Sequence, residues 1–133
     1  MTPDAEARLA LTLLRAGTAL ILIIHGVARI WLGIVDDFGM VLNQWGFPAG
    51  ALLAWTITAV EIAGGAALAA GILVRPLTLW FVLQLAMGVY LIHAHAGWFV
   101  VGAGRNGTEF SALLILCLVV VAMAESQKAE GKS

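Results

Sequence analysis

Four apolar runs divide this chain, at residues 9–34, 49–74, 77–100 and 108–124. Each is close to the roughly 20 residues that a helix needs to cross a bilayer. Soluble domains carry about 25% charged and 45–50% apolar residues, whereas here 62% of the residues are hydrophobic and 11% charged. Seven basic and eight acidic side chains cannot cover that much apolar surface in water. The membrane is therefore the solvent. Membrane-spanning strands run about 10 residues and alternate in polarity, and four of them cannot close a barrel. The reading is an all-α, polytopic four-transmembrane-helix bundle. It forms one domain over residues 1–125, followed by a polar tail at 126–133.

The links between the runs set its orientation. Asp36, Asp37 and the stretch Asn43-Gln44-Trp45-Gly46-Phe47-Pro48 read as a polar loop, Arg75-Pro76 as a tight turn, and Gly102 to Gly107 as a glycine-rich link. With both termini cytoplasmic, the inner side holds Arg8, Arg15, Arg75, Lys128 and Lys132, against Arg29 and Arg105 outside, the asymmetry that cytoplasmic loops favour. Trp31, Trp45, Trp55 and Trp98 then fall near the outer interface and Trp80 near the inner one, as an aromatic belt would. The first run is longer than a signal-peptide core and contains His25 and Arg29, so it reads as a retained helix in a multi-pass protein of a bacterial inner membrane. Ala59, Ala63, Ala67 and Gly71 recur at four-residue spacing, a pattern that lets membrane helices approach closely. The lone Cys117 can form no disulfide within the chain. No basic patch with interleaved aromatics suggests nucleic acid.

His25, Arg29, Glu61, Gln84, His93, His95 and Glu109 do not belong in lipid. An ionisable group in a span costs roughly 2.5–3.5 kcal/mol on insertion scales, so it faces a partner or a cavity. At about 1.5 Å per residue, His25 lies roughly 15 Å above Arg15 and Arg29 roughly 21 Å above it. Glu61 and His93 lie roughly 21 and 27 Å above Arg75, and Glu109 roughly 24 Å above Glu125. All four helices thus contribute a polar group to the outer half. Arg29 and Glu61 share a depth on successive helices, so they are expected to pair, either at a reactive site or as a clasp that fixes register. His93 and His95, two apart, point in nearly opposite directions on a helix, and which of them faces inward is open. Asn106-Gly107-Thr108-Glu109 also fits a capping box.

Three histidines and two glutamates suit zinc, copper or iron. No spacing demands a metal, however, and His25 lies roughly 12 Å deeper than His93, too uneven for a bis-histidine haem. Neither metal nor haem is expected.

Several of these residues recur in one order. His25-Gly26-Val27-Ala28-Arg29, Gly46-Phe47-Pro48, Glu61-Ile62-Ala63-Gly64-Gly65 with Gly71 and Arg75, His93-Ala94-His95-Ala96-Gly97-Trp98-Phe99, and Gly104 to Glu109 follow one another at the spacing of a known pattern. In this the chain resembles the DoxX family of small four-helix membrane proteins, from Leu9 to Glu125. Arg29 stands where the family more often has lysine. The resemblance favours His93 over His95 as the inward residue. It implies a membrane subunit of a redox system: related DoxD-type proteins belong to a thiosulfate:quinone oxidoreductase, and some members associate with superoxide dismutase and a sulfurtransferase.

Three functions follow as expectations. The first is a quinone-linked redox subunit of a thiol, thiosulfate or oxidative-stress system, with a quinone as cofactor. There His25, Arg29 and His93 would bind the headgroup, and Glu61 and Glu109 would move protons. Electrons would come from a substrate or a soluble redox partner. The second is a non-catalytic anchor that docks a soluble oxidoreductase, and the third a small-solute or proton-coupled carrier, for which a homo-oligomer would supply the path.

Overall fold

The computed structural model describes residues 2–130, with side chains through residue 127. Lys132, the Lys128 side chain and residues 131–133 of the expected tail lie outside the described residues. All regular structure among the described residues is helical. Helix α1 spans Pro3–Trp31 and α2 Val35–Gln44. Helix α3 runs Gly50–Ala59, continues through a π turn at Val60–Gly64 and ends in Gly65–Ala70. Helix α4 runs Val74–Gly88, with a π turn at Val89–His93 and a last turn at Ala94–Ala96. Helix α5 is Glu109–Glu130.

Four stretches are long and apolar enough to cross a membrane: Pro3–Trp31, Gly50–Ala69, Val74–Ala96 and Glu109–Gln127. The chain is a multi-pass membrane protein in contact with lipid. Only 11–28% of each span is buried within the chain, and all five tryptophans are exposed, as an interfacial belt requires.

The helix ends correct several expectations. Helix α1 starts at Pro3 rather than Leu9 because Thr2 caps it: the Ala5 N–H donates to Thr2 Oγ1 at 3.3 Å, and proline suits the first helical position. Three helices stop at a glycine in the left-handed region. After α1, Gly33 N–H donates to Ile30 O and Ile34 N–H to Arg29 O; the same pair of bonds recurs at Gly46 after α2 and Gly71 after α3. Such a close needs a positive φ, which costs glycine nothing. The turn before α4 therefore lies at residues 71–73, not at Arg75-Pro76. Those two residues sit in the first turn of α4, where proline's missing N–H has no helical partner to lose. The last helix continues to Glu130 instead of fraying at Glu125.

The chain forms two compact units, one made of Ala19–Ile72 and the other of residues up to Thr18 with those from Leu73 onward. In the first unit the stretch read as a polar loop is mostly helix α2. Val35, Gly39 and Leu42 share a buried face, and Val35 and Leu42 pack with Ala54, Phe38, Phe47, Leu53 and Ile57. The acidic residues lie on the other face, where Asp36 Oδ1 accepts from Trp55 Nε1 at 3.0 Å. A Cβ on Gly39 would lie 2.7 Å from Ala51 Cα, so only glycine lets α2 lie this close to α3. The inner face of α3 is Ala54, Thr58, Glu61, Gly65 and Leu68. The small residues Ala59 and Ala63, expected at a helix contact, are exposed. In the second unit α4 packs on α5, burying Val74, Thr78 and Phe81 on one helix and Ser111, Leu114, Leu118 and Val121 on the other.

Candidate functional site

Within the first unit, α1 and α3 approach at Gly26. A Cβ there would lie 2.8 Å from Ile62 Cγ1, 3.0 Å from the Thr58 carbonyl oxygen and 3.1 Å from Glu61 Cβ. Three residues on, and so on the same side of α1, Arg29 uses that proximity. Its Nη1 donates to Glu61 Oε2 at 2.8 Å and to Thr58 Oγ1 at 2.9 Å, and its Nη2 donates to Glu61 Oε1 at 3.3 Å. Thr58 gives its own proton to the Ala54 carbonyl at 2.8 Å, leaving its oxygen to accept from Arg29. The guanidinium carbon lies 4.9 Å from the centre of the Phe38 ring, close enough for a cation–π contact. The expected pair is thus present and forked, which fits guanidinium to carboxylate geometry. The Arg29 side chain is 16% exposed and that of Glu61 4%, so both charges are held largely out of contact with the surroundings.

Glu61 belongs to the π turn Val60–Gly64. A π turn bonds each N–H one residue further back than an α turn, and such turns often occur at functional sites. His25, expected among the inward residues, is exposed on α1. Thr58 and Phe38, which complete the surroundings of Arg29, escape the sequence reading. Thr58 lies one turn before Glu61 on the same face, and Phe38 belongs to the 35, 38, 39, 42 spacing of α2, so both carried a helical-period signal.

In the second unit, His93 closes the π turn Val89–His93. It is half-buried, whereas His95 is exposed, so His93 is the anchored histidine of the two. Its Nδ1 lies 2.8 Å from the main-chain oxygen of Asn106, and the ring donates to that carbonyl. Asn106 belongs to the loop 97–108, which folds back on itself: Gly107 N–H donates to Phe99 O, Thr108 N–H to Gly97 O and Glu109 N–H to Trp98 O, each at 3.0 Å. The carbonyl group of Trp98 fills the place a Cβ on Gly107 would need. Glu109 differs from the capping-box expectation. Its Oε1 accepts the Val100 N–H at 2.7 Å, so the carboxylate ties the loop down instead of reaching back to its own helix. The loop's own backbone pairing leaves Val100 N–H without a carbonyl partner, and the carboxylate takes that place. His93 and Glu109 each bond to the loop backbone and not to one another.

The remaining polar groups of this unit serve other ends. Gln84 Oε1 accepts from Trp80 Nε1 at 3.0 Å, one turn apart on α4. A small cleft lined by Leu11, Thr12, Arg15, Val121, Ala124 and Glu125 has room for about one water molecule, too little for an organic headgroup. Among the described residues, no three His, Cys, Asp or Glu side chains gather as metal ligands.

Comparison with known proteins bears on the same residues. The family model DoxX matches residues 10–94, well over half of the chain, and the chain belongs to that family. The match takes in His25, Arg29, Glu61 and His93 and ends short of the loop and Glu109. No curated protein and no solved structure matches the chain.

Proposed function

We propose that this DoxX-family chain is the membrane subunit of a quinone-linked redox system acting on thiols, thiosulfate or reactive oxygen species. In this reading it sits in a bacterial inner membrane with both termini in the cytoplasm, and a soluble partner or the substrate supplies electrons. The observation that carries a functional site is the position of the π turns: each interrupts a membrane span at an ionisable residue, Glu61 in one and His93 in the other. A quinone takes up two electrons and two protons when it is reduced to the quinol, so its protein site needs polar groups able to hold its oxygens. Both Nη atoms of Arg29 are engaged by Thr58 and Glu61, and Glu109 holds the Val100 amide. His93 has one ring nitrogen engaged, which makes it the residue of this set best suited to touch a headgroup.

The test is a difference titration of purified, lipid-embedded protein with a short-chain quinone and its quinol, with His93→Leu as control. Saturable binding that the variant loses supports the redox reading. Absence of binding of either form to folded wild-type protein refutes it.

A second reading, a non-catalytic anchor for a soluble oxidoreductase, draws on the Arg29–Glu61 pair itself. A pair whose donors are met by carboxylate, hydroxyl and ring is what a helix clasp requires, and it needs no ligand to be stable. If neither quinone form binds while the protein holds a soluble oxidoreductase at the membrane, the anchor is correct.

A further inference from the structure

A carbonyl oxygen accepts hydrogen bonds and never donates them. Because His93 Nδ1 lies 2.8 Å from the Asn106 carbonyl oxygen, the proton of the neutral ring sits on Nδ1 and its lone pair on Nε2. Two features hold this arrangement. Asn106 has a φ of +59°, the left-handed region that asparagine tolerates better than most residues. Gly107 beside it is buried against the backbone of Trp98 and Phe99. The carbonyl that orients the ring is therefore itself fixed by the fold of the loop, in the way a backbone oxygen fixes the tautomer of a metal-bound histidine.

From this geometry we infer that His93 selects the reduced, hydroxyl-bearing form of a quinone over the oxidised form, with Asn106 as the positioning residue. The inference rests on the quinone reading above and concerns which form is bound; no electron transfer is part of it. A quinol hydroxyl donates to the Nε2 lone pair. A quinone carbonyl would set one lone pair against another, leaving unmet the contact that the quinol makes. The resulting preference is about tenfold in affinity.

Two measurements separate this inference from the reading beneath it. The first is 15N NMR of histidine-labelled protein in nanodiscs, with the His93 signals assigned by their loss in His93→Leu. The expected result is a protonated Nδ1 and a bare Nε2; a proton on Nε2 instead overturns the inference with no quinone present. The second is anaerobic titration with a short-chain benzoquinone and with its quinol. Wild type should bind the quinol about tenfold more tightly. Asn106→Gly, which keeps the carbonyl and accepts the positive φ, should retain that ratio. Asn106→Val, β-branched and disfavoured at that φ, should bring the ratio close to one and shift the tautomer signal. Equal binding of both forms by wild type, or tighter binding of the quinone, overturns the inference and leaves the quinone reading standing. Absence of binding of both forms to folded protein overturns the two together.

Discussion

The Arg29–Glu61 pair yields the sharpest test of how this chain holds itself together. Glu61→Ala takes the carboxylate from a guanidinium whose side chain is 16% exposed, and Arg29→Ala takes the guanidinium from a carboxylate that is 4% exposed. Breaking one side of a buried pair costs about 3–5 kcal/mol, in line with the roughly 2.5–3.5 kcal/mol charged for an unpaired ion in a span. Arg29 retains Thr58 and Phe38 when the carboxylate is gone, so Glu61→Ala should fall at the lower end of that range. The double variant Arg29→Met/Glu61→Leu removes both charges and keeps most of the volume. It should return to within about 1–2 kcal/mol of wild type, because apolar replacements of buried pairs are often neutral or better. Reversible unfolding in bicelles, read as a double-mutant cycle, measures the coupling. Single variants within about 1 kcal/mol of wild type, or a double variant that merely sums the two losses, would refute the claim that this pair closes α1 onto α3.

Other expectations are more local. Gly26→Ala should lower thermal stability in detergent by about 1–3 kcal/mol through overpacking against the Thr58 carbonyl and Ile62. Gly17→Ala, on the same helix with nothing within 4 Å of the added carbon, should be neutral or stabilise by up to about 1 kcal/mol. Gly107→Ala meets backbone rather than a yielding side chain, so hydrogen exchange should show the Gly107 and Thr108 amides losing protection while those of α5 keep theirs. Glu109→Ala should cost about 1–3 kcal/mol and release the Val100 amide; Glu109→Gln, which keeps an oxygen acceptor, should lose less in the same unfolding assay.

Hydropathy made the four spans legible because lipid leaves few alternatives for an apolar run of that length. The Arg29–Glu61 pair was legible too, since counting residues from basic anchors gives depth and two costly charges at one depth need each other. Tight geometry was not. Helix α2 announces itself through the spacing of Val35, Phe38, Gly39 and Leu42, but the neighbouring Asp, Asn, Gln and Gly residues are equally those of a loop. Ala63 and Gly65 carry the same small-residue signal; the structure buries Gly65 against Ile23 and leaves Ala63 exposed. A shift of two residues around a helix decides between them, and composition does not encode that shift. The π turns and the Glu109–Val100 bond depend on tertiary contacts and leave no local sequence trace.

Because at most 28% of any span is buried within the chain, much of each span is left for lipid to cover. The acyl chains then do part of what an interior does elsewhere, and their length becomes a structural parameter of the fold. The span Gly50–Ala69 has 20 residues, about 30 Å of helix, no more than a hydrocarbon core of about 30 Å. The 29 residues of Pro3–Trp31 reach about 44 Å and must tilt or protrude. A thicker bilayer would stretch demands on the short helix first, at a cost of fractions of a kcal/mol per Å. That helix carries Glu61 in its π turn, so the ion pair with Arg29 is exposed to the thickness of the membrane around it.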